Sequence, residues 1–321
     1  MNNCFPSKNQ FLELSKTYNY IPVYNEINAG EETPVSIYLK VANNPFSFLL
    51  ESVEGHEDVA RYSFIGVDPQ EVIKTGAKES YGEVDPLEIL KASMKDIRHA
   101  PYQELPKFHG GAVGYLAYET ARYFEPSVMK VDRTLSYTPE SIFMIGSSLI
   151  IFDHVKQSII IVVHSDLRKD RDYQEAYDEA KKTISDLLLK IGTKNSPEKF
   201  NSSAKNKKNQ SSSLIHVTPK EDYEGMVEKT KGLINQGEMI QAVLSLKLTK
   251  TVDVSALSLF KSLRIVNPSP YMFLLDLDDF QIIGSSPELL VQVVDGVVAA
   301  HPIAGTRARG KTEKEDLELE R

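Results

Sequence analysis

The residues best equipped for chemistry stand near the C-terminal end, in His301-Pro302-Ile303-Ala304-Gly305-Thr306-Arg307-Ala308-Arg309-Gly310. Glycine lets a ligand come close to the backbone. The Thr306 hydroxyl can donate or accept a hydrogen bond. Arg307 and Arg309 raise the local positive potential and suit carboxylates. Val297 to Ile303 has the composition of a strand, so the motif stands at a strand end. Such a set fits a small dianionic acid, and a basic surface hairpin is the plain alternative.

Three further stretches carry patterns of interest. Pro268-Ser269-Pro270-Tyr271-Met272-Phe273 leads an extended, proline-fixed approach into an apolar strand. Its bland reading is a buried strand entry. Leu49-Leu50-Glu51-Ser52 ends an apolar strand in a carboxylate and a hydroxyl, which also fits a surface strand end. Gly110-Gly111-Ala112-Val113-Gly114-Tyr115 has neither dinucleotide-loop nor phosphate-loop spacing and reads as a tightly packed strand. His56, His99, His109, His154, His164, His216 and His301 show no metal-ligand spacing along the chain. No nucleophile elbow is present.

The elements that must position these residues are mixed. Phe143 to Phe152 and Ser158 to His164 read as strands of a hairpin. Asp170 to Ile191 has helical apolar spacing through Tyr173, Ala176, Tyr177, Ala180, Ile184, Leu187, Leu188 and Ile191, with Gly192 as the stop. Asn195 to Ser213 is dominated by Ser, Asn and Lys and buries too little to offset its ordering entropy. It reads as a linker or long loop rather than a basic nucleic-acid arm. Thr218-Pro219-Lys220-Glu221 has capping-box spacing at the start of a helix that ends at Gly237. Ile240 to Thr249 reads as a strand and Ser255 to Val266 as a short helix. Tyr271 to Leu277 and Phe280 to Gly284 are strands around the Asp278-Asp279 turn. The expected division is residues 1–192, a linker over 193–213, and 214–321.

The chain has 321 residues, a formal net charge of −8 and 41% hydrophobic residues. That is a globular balance with length for two cores. Mild acidity argues against nucleic acid or an anionic membrane as partner. No apolar run approaches a membrane span, and the first residues lack a signal-peptide pattern. A cytoplasmic location is expected. The single cysteine, Cys4, rules out an intrachain disulfide and is expected to be an exposed thiol.

Taken in order, these motifs resemble component I of anthranilate synthase, a chorismate-utilising family. Leu49 to Ser52 with Arg61-Tyr62-Ser63-Phe64-Ile65-Gly66 is similar to its N-terminal signature. Gly110 to Tyr115 with Tyr118-Glu119 is similar to its central one. Gly237 to Ser245, Asn267 to Phe273, Gly284-Ser285-Ser286-Pro287-Glu288 and Pro302 to Gly310 follow the chorismate-binding region. Ala304 resembles the anthranilate enzyme, whereas aminodeoxychorismate synthases carry lysine there. Gln241 stands where water-adding relatives carry a lysine base.

The resemblance implies an α/β fold of the α+β type, with antiparallel sheets packed face to face, helices outside and the catalytic half incomplete. It implies a Mg²⁺-dependent lyase that converts chorismate and ammonia to anthranilate and pyruvate. A glutamine amidotransferase subunit, anthranilate synthase component II, would deliver the ammonia. Gly305 and Thr306 would contact chorismate. L-tryptophan would inhibit from a regulatory site comprising Ser52, Pro270, Tyr271 and Met272, with Glu51 and Asn267 near it. The alternatives are aminodeoxychorismate synthase component I and a non-catalytic tryptophan-binding fragment.

The family pattern places the Glu ligands of Mg²⁺ and the catalytic histidine beyond Arg321. Thr312 to Leu317 reads as the first turns of a helix with no stop signal. The expectation from sequence is therefore a truncated chain, inactive alone, with no catalytic or metal residue of that enzyme within it.

Overall fold

In a computed structural model of the chain, the residues described are 4–52, 61–102, 104–125, 127, 138–168, 171–193, 213–302 and 308–320. The helices are α1 (Lys8–Ser15), α2 (Pro34–Val41), α3 (Pro86–Met94), α4 (Ala121–Phe124), α5 (Tyr173–Gly192), α6 (Lys220–Asn235), α7 (Ala256–Val266) and α8 (Glu313–Glu320). The strands are β1 (Tyr20–Asn28), β2 (Ser47–Glu51), β3 (Tyr62–Val67), β4 (Glu71–Thr75), β5 (Ala112–Leu116), β6 (Ser141–Ile145), β7 (Ser148–Asp153) and β8 (Ser158–Asp166). They continue as β9 (Ile215–His216), β10 (Leu248–Thr249), β11 (Tyr271–Asp276), β12 (Gln281–Ser286), β13 (Gln292–Val294) and β14 (Val297–Ala299). Two compact units result: Met1–Ser196 with Ala256–Pro287, and Pro197–Ser255 with Glu288–Arg321. Residues 256–287, which follow the Ser/Asn/Lys-rich stretch in sequence, thus belong to the first unit. That stretch lies outside the described residues except at Ser213.

The first unit is built on a seven-stranded sheet in the order β1-β8-β7-β3-β2-β11-β12. Every strand pair in it is antiparallel. Strands β7 and β8 are central and almost wholly buried, which explains their unbroken apolar runs. Alternate residues serve opposite faces. Ile150, Phe152, Ile159, Ile161, Met272 and Leu274 pack with Phe11, Ile37, Ile184, Leu187 and Phe260 from the helices. Leu149, Ile151, Ile160, Val162 and Leu275 pack with Ile142 and Met144 of β6. A second sheet, β4-β6-β5, covers that other face. Antiparallel sheets packed face to face with helices outside are therefore the architecture of this unit.

Local chemistry explains the boundaries. The run Phe143 to Phe152 divides at Gly146, whose φ of 65° turns the chain from one sheet into the other. The β7–β8 turn is held by Asp153 Oδ1, which accepts from the amides of Val155 and Lys156 at 3.0 Å each. Helix α5 starts at Asp172, whose carboxylate accepts from the Gln174 and Glu175 amides at 2.8 and 2.9 Å. Its buried face is Ala176, Tyr177, Ala180, Ile184, Leu187 and Ile191. Tyr173, expected on that face, stays 43% exposed at the first turn. Cys4 is half-buried against the helical core rather than exposed, and burial raises its thiol pKa.

The second unit differs in kind: none of its described residues is buried. The expected strand Ile240 to Thr249 is reduced to β10, which pairs only with β9. Ile240 is 97% exposed and Val243 87%, so the apolar run has no sheet to join among the described residues, and β-propensity alone does not make a strand. The expected capping box at Thr218 does not form. Pro219 is the N-cap of α6, and no side chain caps it. Strand β14 ends at Ala299, short of the expected Ile303. Before α8, the Thr312 hydroxyl accepts from the Glu315 amide at 3.2 Å.

Candidate functional site

Two motifs far apart in sequence become neighbours in the first unit. Strand β2 pairs with β11 so that Glu51 faces Met272 and Leu50 faces Phe273. Directly opposed residues share one face. Met272, 1% exposed, belongs to the helix-covered face, so Glu51 points toward the helix layer too. Glu51 is 4% exposed. The guanidinium of Arg264, in the last turn of α7, lies 3.6 Å from its carboxylate. Neither carboxylate oxygen of Glu51 has a hydrogen-bond donor among the described residues. Burial raises the Glu51 pKa, and the Arg264 charge partly offsets it.

The segment between α7 and β11 completes the grouping. The Asn267 amide nitrogen donates to Leu263 O at 2.8 Å and closes α7. Its side-chain Nδ2 donates to Ser285 Oγ at 3.3 Å, while that hydroxyl donates back to Asn267 O at 2.6 Å. Ser285 faces Met272 across β11–β12, and Ser286 faces Tyr271. Ser269 is 4% exposed, and its hydroxyl has no partner among the described residues. Pro270 and Tyr271 are half-buried. Ser52, also half-buried, follows Glu51 directly.

Chemically, this is a buried carboxylate short of donors, a guanidinium 39% exposed in its side chain, and a flank of Pro270, Tyr271 and Met272. Such a set can receive an ammonium at Glu51 and a carboxylate at Arg264, with an apolar body against the flank. Glu51, Asn267, Pro270, Tyr271 and Met272 are brought together, with Ser52 adjoining. Arg264 and Ser269 belong to the same grouping and were missed in the sequence. Arg264 carries no motif signal, because its place depends on where α7 docks. Gly305 and Thr306 lie outside the described residues, as does Ala304.

A conserved-domain likeness covers most of the chain. Residues 45–321 match the model of the chorismate binding enzymes. The chain belongs to the chorismate-binding enzyme family. It is 38% identical over 320 residues to a probable anthranilate synthase component 1 of Schizosaccharomyces pombe, covering 97% of this chain and 62% of that protein. It is 39% identical over 331 residues to anthranilate synthase component 1 of Acetivibrio thermocellus, covering 99% of this chain and 66% of that protein. The chain thus spans slightly less than two thirds of these relatives. The crystal structure of anthranilate synthase component I from Streptococcus pneumoniae TIGR4 superposes with a TM-score of 0.60 at 27% identity, over 85% of this chain and 59% of that one. The mixed α/β architecture with antiparallel sheets is that of this chorismate-utilising enzyme family.

No helix among the described residues is long and apolar enough to cross a membrane. Among the described residues, one grouping of three metal-ligating side chains occurs, His99, His109 and His164. Mg²⁺ demands oxygen ligands, so these imidazoles do not suit it. No set of described residues fits the Mg²⁺ that the resemblance implies.

Proposed function

We propose that the chain is the chorismate-aminating component of an anthranilate synthase, regulated by tryptophan. Ammonia, released from glutamine by a partner amidotransferase, adds at C2 of chorismate and the C4 hydroxyl leaves. Pyruvate is then eliminated and the ring aromatises to anthranilate, the first step from chorismate toward tryptophan. Gln241 supports amination over water addition, and Ala304 supports the anthranilate-forming reaction over the aminodeoxychorismate one. Gly305 and Thr306 would contact the substrate. The reaction belongs to the cytoplasm.

The observation that carries the regulatory reading is the β2–β11 register, which sets Glu51 opposite Met272. In this reading the tryptophan ammonium meets Glu51 and its carboxylate meets Arg264. Pro270, Tyr271 and Met272 flank the indole, with Ser52 and Asn267 lining the polar end. Each opposite-charge contact made there is charge-assisted and stronger than a neutral one. Binding couples to the reaction as a free-energy difference between two arrangements of the protein.

Calorimetry on the full chain tests this directly. Saturable one-to-one heat with L-tryptophan is expected, weakened at least about tenfold, or about 1.4 kcal/mol, in Ser52→Ala. No saturable heat, or equal heat with phenylalanine, overturns the regulatory reading. Anthranilate fluorescence tests the chemistry separately. With no Mg²⁺-type ligand set among the described residues, the chain alone is expected to release no anthranilate from chorismate, ammonium and Mg²⁺. Turnover would overturn that expectation and leave the tryptophan site untouched.

A further inference from the structure

Three histidines from separate stretches meet on the face of the large sheet opposite the helices. His164 is on β8 and 3% exposed. His109 precedes β5 and is half-buried, and His99 is exposed at the edge of β1. Their ligand atoms all lie within 4.8 Å of one another. Ring centroids are 4.8 Å apart for His99 and His109, 5.3 Å for His99 and His164, and 5.5 Å for His109 and His164. We propose that His99, His109 and His164 form a three-imidazole site for a divalent transition-metal ion of zinc's class, with one coordination position open to solvent.

Hydrogen-bond accounting carries the argument first. Both ring nitrogens of His164 and Nδ1 of His109 are buried without a partner among the described residues. A neutral imidazole holds one donor and one acceptor. Leaving such a group buried and unmet is unfavourable, and a metal ion uses the acceptor lone pair. His99 supplies the third. Its Nδ1 faces the Ala100 carbonyl at 2.7 Å. A carbonyl only accepts, so Nδ1 carries the proton and Nε2 keeps its lone pair. A histidine ligand is commonly oriented this way, with its second nitrogen donating to a backbone carbonyl.

The support of the three rings is independent of that accounting. Tyr20 stacks on His164 at 4.7 Å and 12° between planes. The strand β1 also holds the His99 backbone: Tyr20 N donates to Arg98 O at 3.2 Å and Ala100 N donates to Tyr20 O at 3.0 Å. Gly110 admits the third ring, since a Cβ there would stand 2.3 Å from Cε1 of His164. A cleft of about 290 Å³, lined by Tyr20, His99, Lys107, His109 and Gly110 among others, opens onto the group. Zinc bound tetrahedrally by imidazole at about 2.0–2.1 Å needs nitrogens about 3.3 Å apart. The widest pair must therefore close by roughly 1.5 Å, which side-chain rotation of the exposed His99 and half-buried His109 can supply. An all-nitrogen set without carboxylate favours Zn²⁺, Ni²⁺ or Cu²⁺ over Mg²⁺ or Ca²⁺. Lys107 on the cleft wall suits hydroxide or another anion as the fourth ligand.

The test uses the full chain, stripped with chelator and titrated with Co²⁺ and then Zn²⁺. One Co²⁺ per chain is expected, with the intense visible bands of a four-coordinate site, displaced by Zn²⁺. Zn²⁺ should also raise the thermal midpoint, as any ligand of the folded state does. His99→Ala, at an exposed position, should weaken binding at least tenfold while the metal-free midpoint stays unchanged. His109→Ala should weaken it similarly, and His301→Ala should not. Weak bands of six-coordinate Co²⁺, binding beyond one equivalent without saturation, or equal affinity in His99→Ala and the wild type would each overturn the site.

Discussion

Glu51 and Arg264 form an asymmetric ion pair: 3.6 Å separates Oε2 from Nε, the carboxylate side chain is 1% exposed, and the guanidinium side chain is 39% exposed. The pair joins the end of β2 to the last turn of α7. The buried partner depends on the exposed one, and not the reverse.

Removing Arg264 should therefore expose that dependence. Burial raises the Glu51 pKa and Arg264 holds it back, so Arg264→Met raises it further. An acid whose folded pKa lies above its unfolded one loses stability as pH rises from the unfolded value through the folded one. Losing one partner of a fully buried pair costs about 3–5 kcal/mol, and the exposure of Arg264 reduces this to about 1–2 kcal/mol. Urea unfolding should show that loss at about pH 8 and a smaller one at about pH 5. Glu51→Gln in the same background should remove the pH dependence.

Asp153 should behave in the opposite sense. Burial raises its pKa, but the Arg61 hydrogen bond and the Lys156 and Val155 amides outweigh burial and hold it below the usual carboxylate range. Arg61 Nη2 donates at 2.9 Å. The stability this supplies is present above the unfolded pKa and lost as pH falls through the folded one. Asp153→Ala should cost about 2–4 kcal/mol at neutral pH by leaving the turn amides without their acceptor and removing the buried carboxylate that Arg61 contacts. The difference from wild type should shrink in urea titrations below about pH 4.

Phe260 anchors α7 to the sheet and is fully buried. Phe260→Ala should cost about 3–5 kcal/mol in chemical unfolding. It should also weaken tryptophan binding, because α7 carries Arg264 to the site.

Limited trypsin digestion should separate the two units by rate. Lys220, Lys229, Lys247 and Lys250 are exposed or nearly so, in a unit with no buried described residue. Sites with little burial open most readily. Early cuts there should leave the fragment bearing α7, β11 and β12 associated with the N-terminal fragment. The β2–β11 ladder and Phe260 hold the two together. Gel filtration followed by mass spectrometry of the co-eluting peptides checks this.

Much of the first unit was legible in the sequence because its signals are local. The β7–β8 hairpin and α5 announce themselves by period and capping. Ile240 to Thr249 misled for the converse reason, since strand composition was present and a partner strand was not. The site was half legible. Glu51 and Met272 carried motif signals, but Arg264 and Ser269 are defined by the docking of α7. The histidines were illegible as a group. His99, His109 and His164 follow no short spacing, and they come within reach only because β8 and His99 both pair with β1 while the residues just before β5, in the second sheet, reach the same place.

The pairing of β2 with β11 has a consequence in time. Strand β2 is complete by residue 51, yet its outer neighbour begins at Tyr271. During synthesis the β2 edge must wait, with unpaired amides and carbonyls, while more than two hundred residues emerge. Long-range pairings of this kind slow folding, and waiting edges invite the wrong partner. The nascent sheet is thus most vulnerable to aggregation late in translation, and a chaperone that shields that edge should raise the yield of folded chain more than one acting on the finished protein.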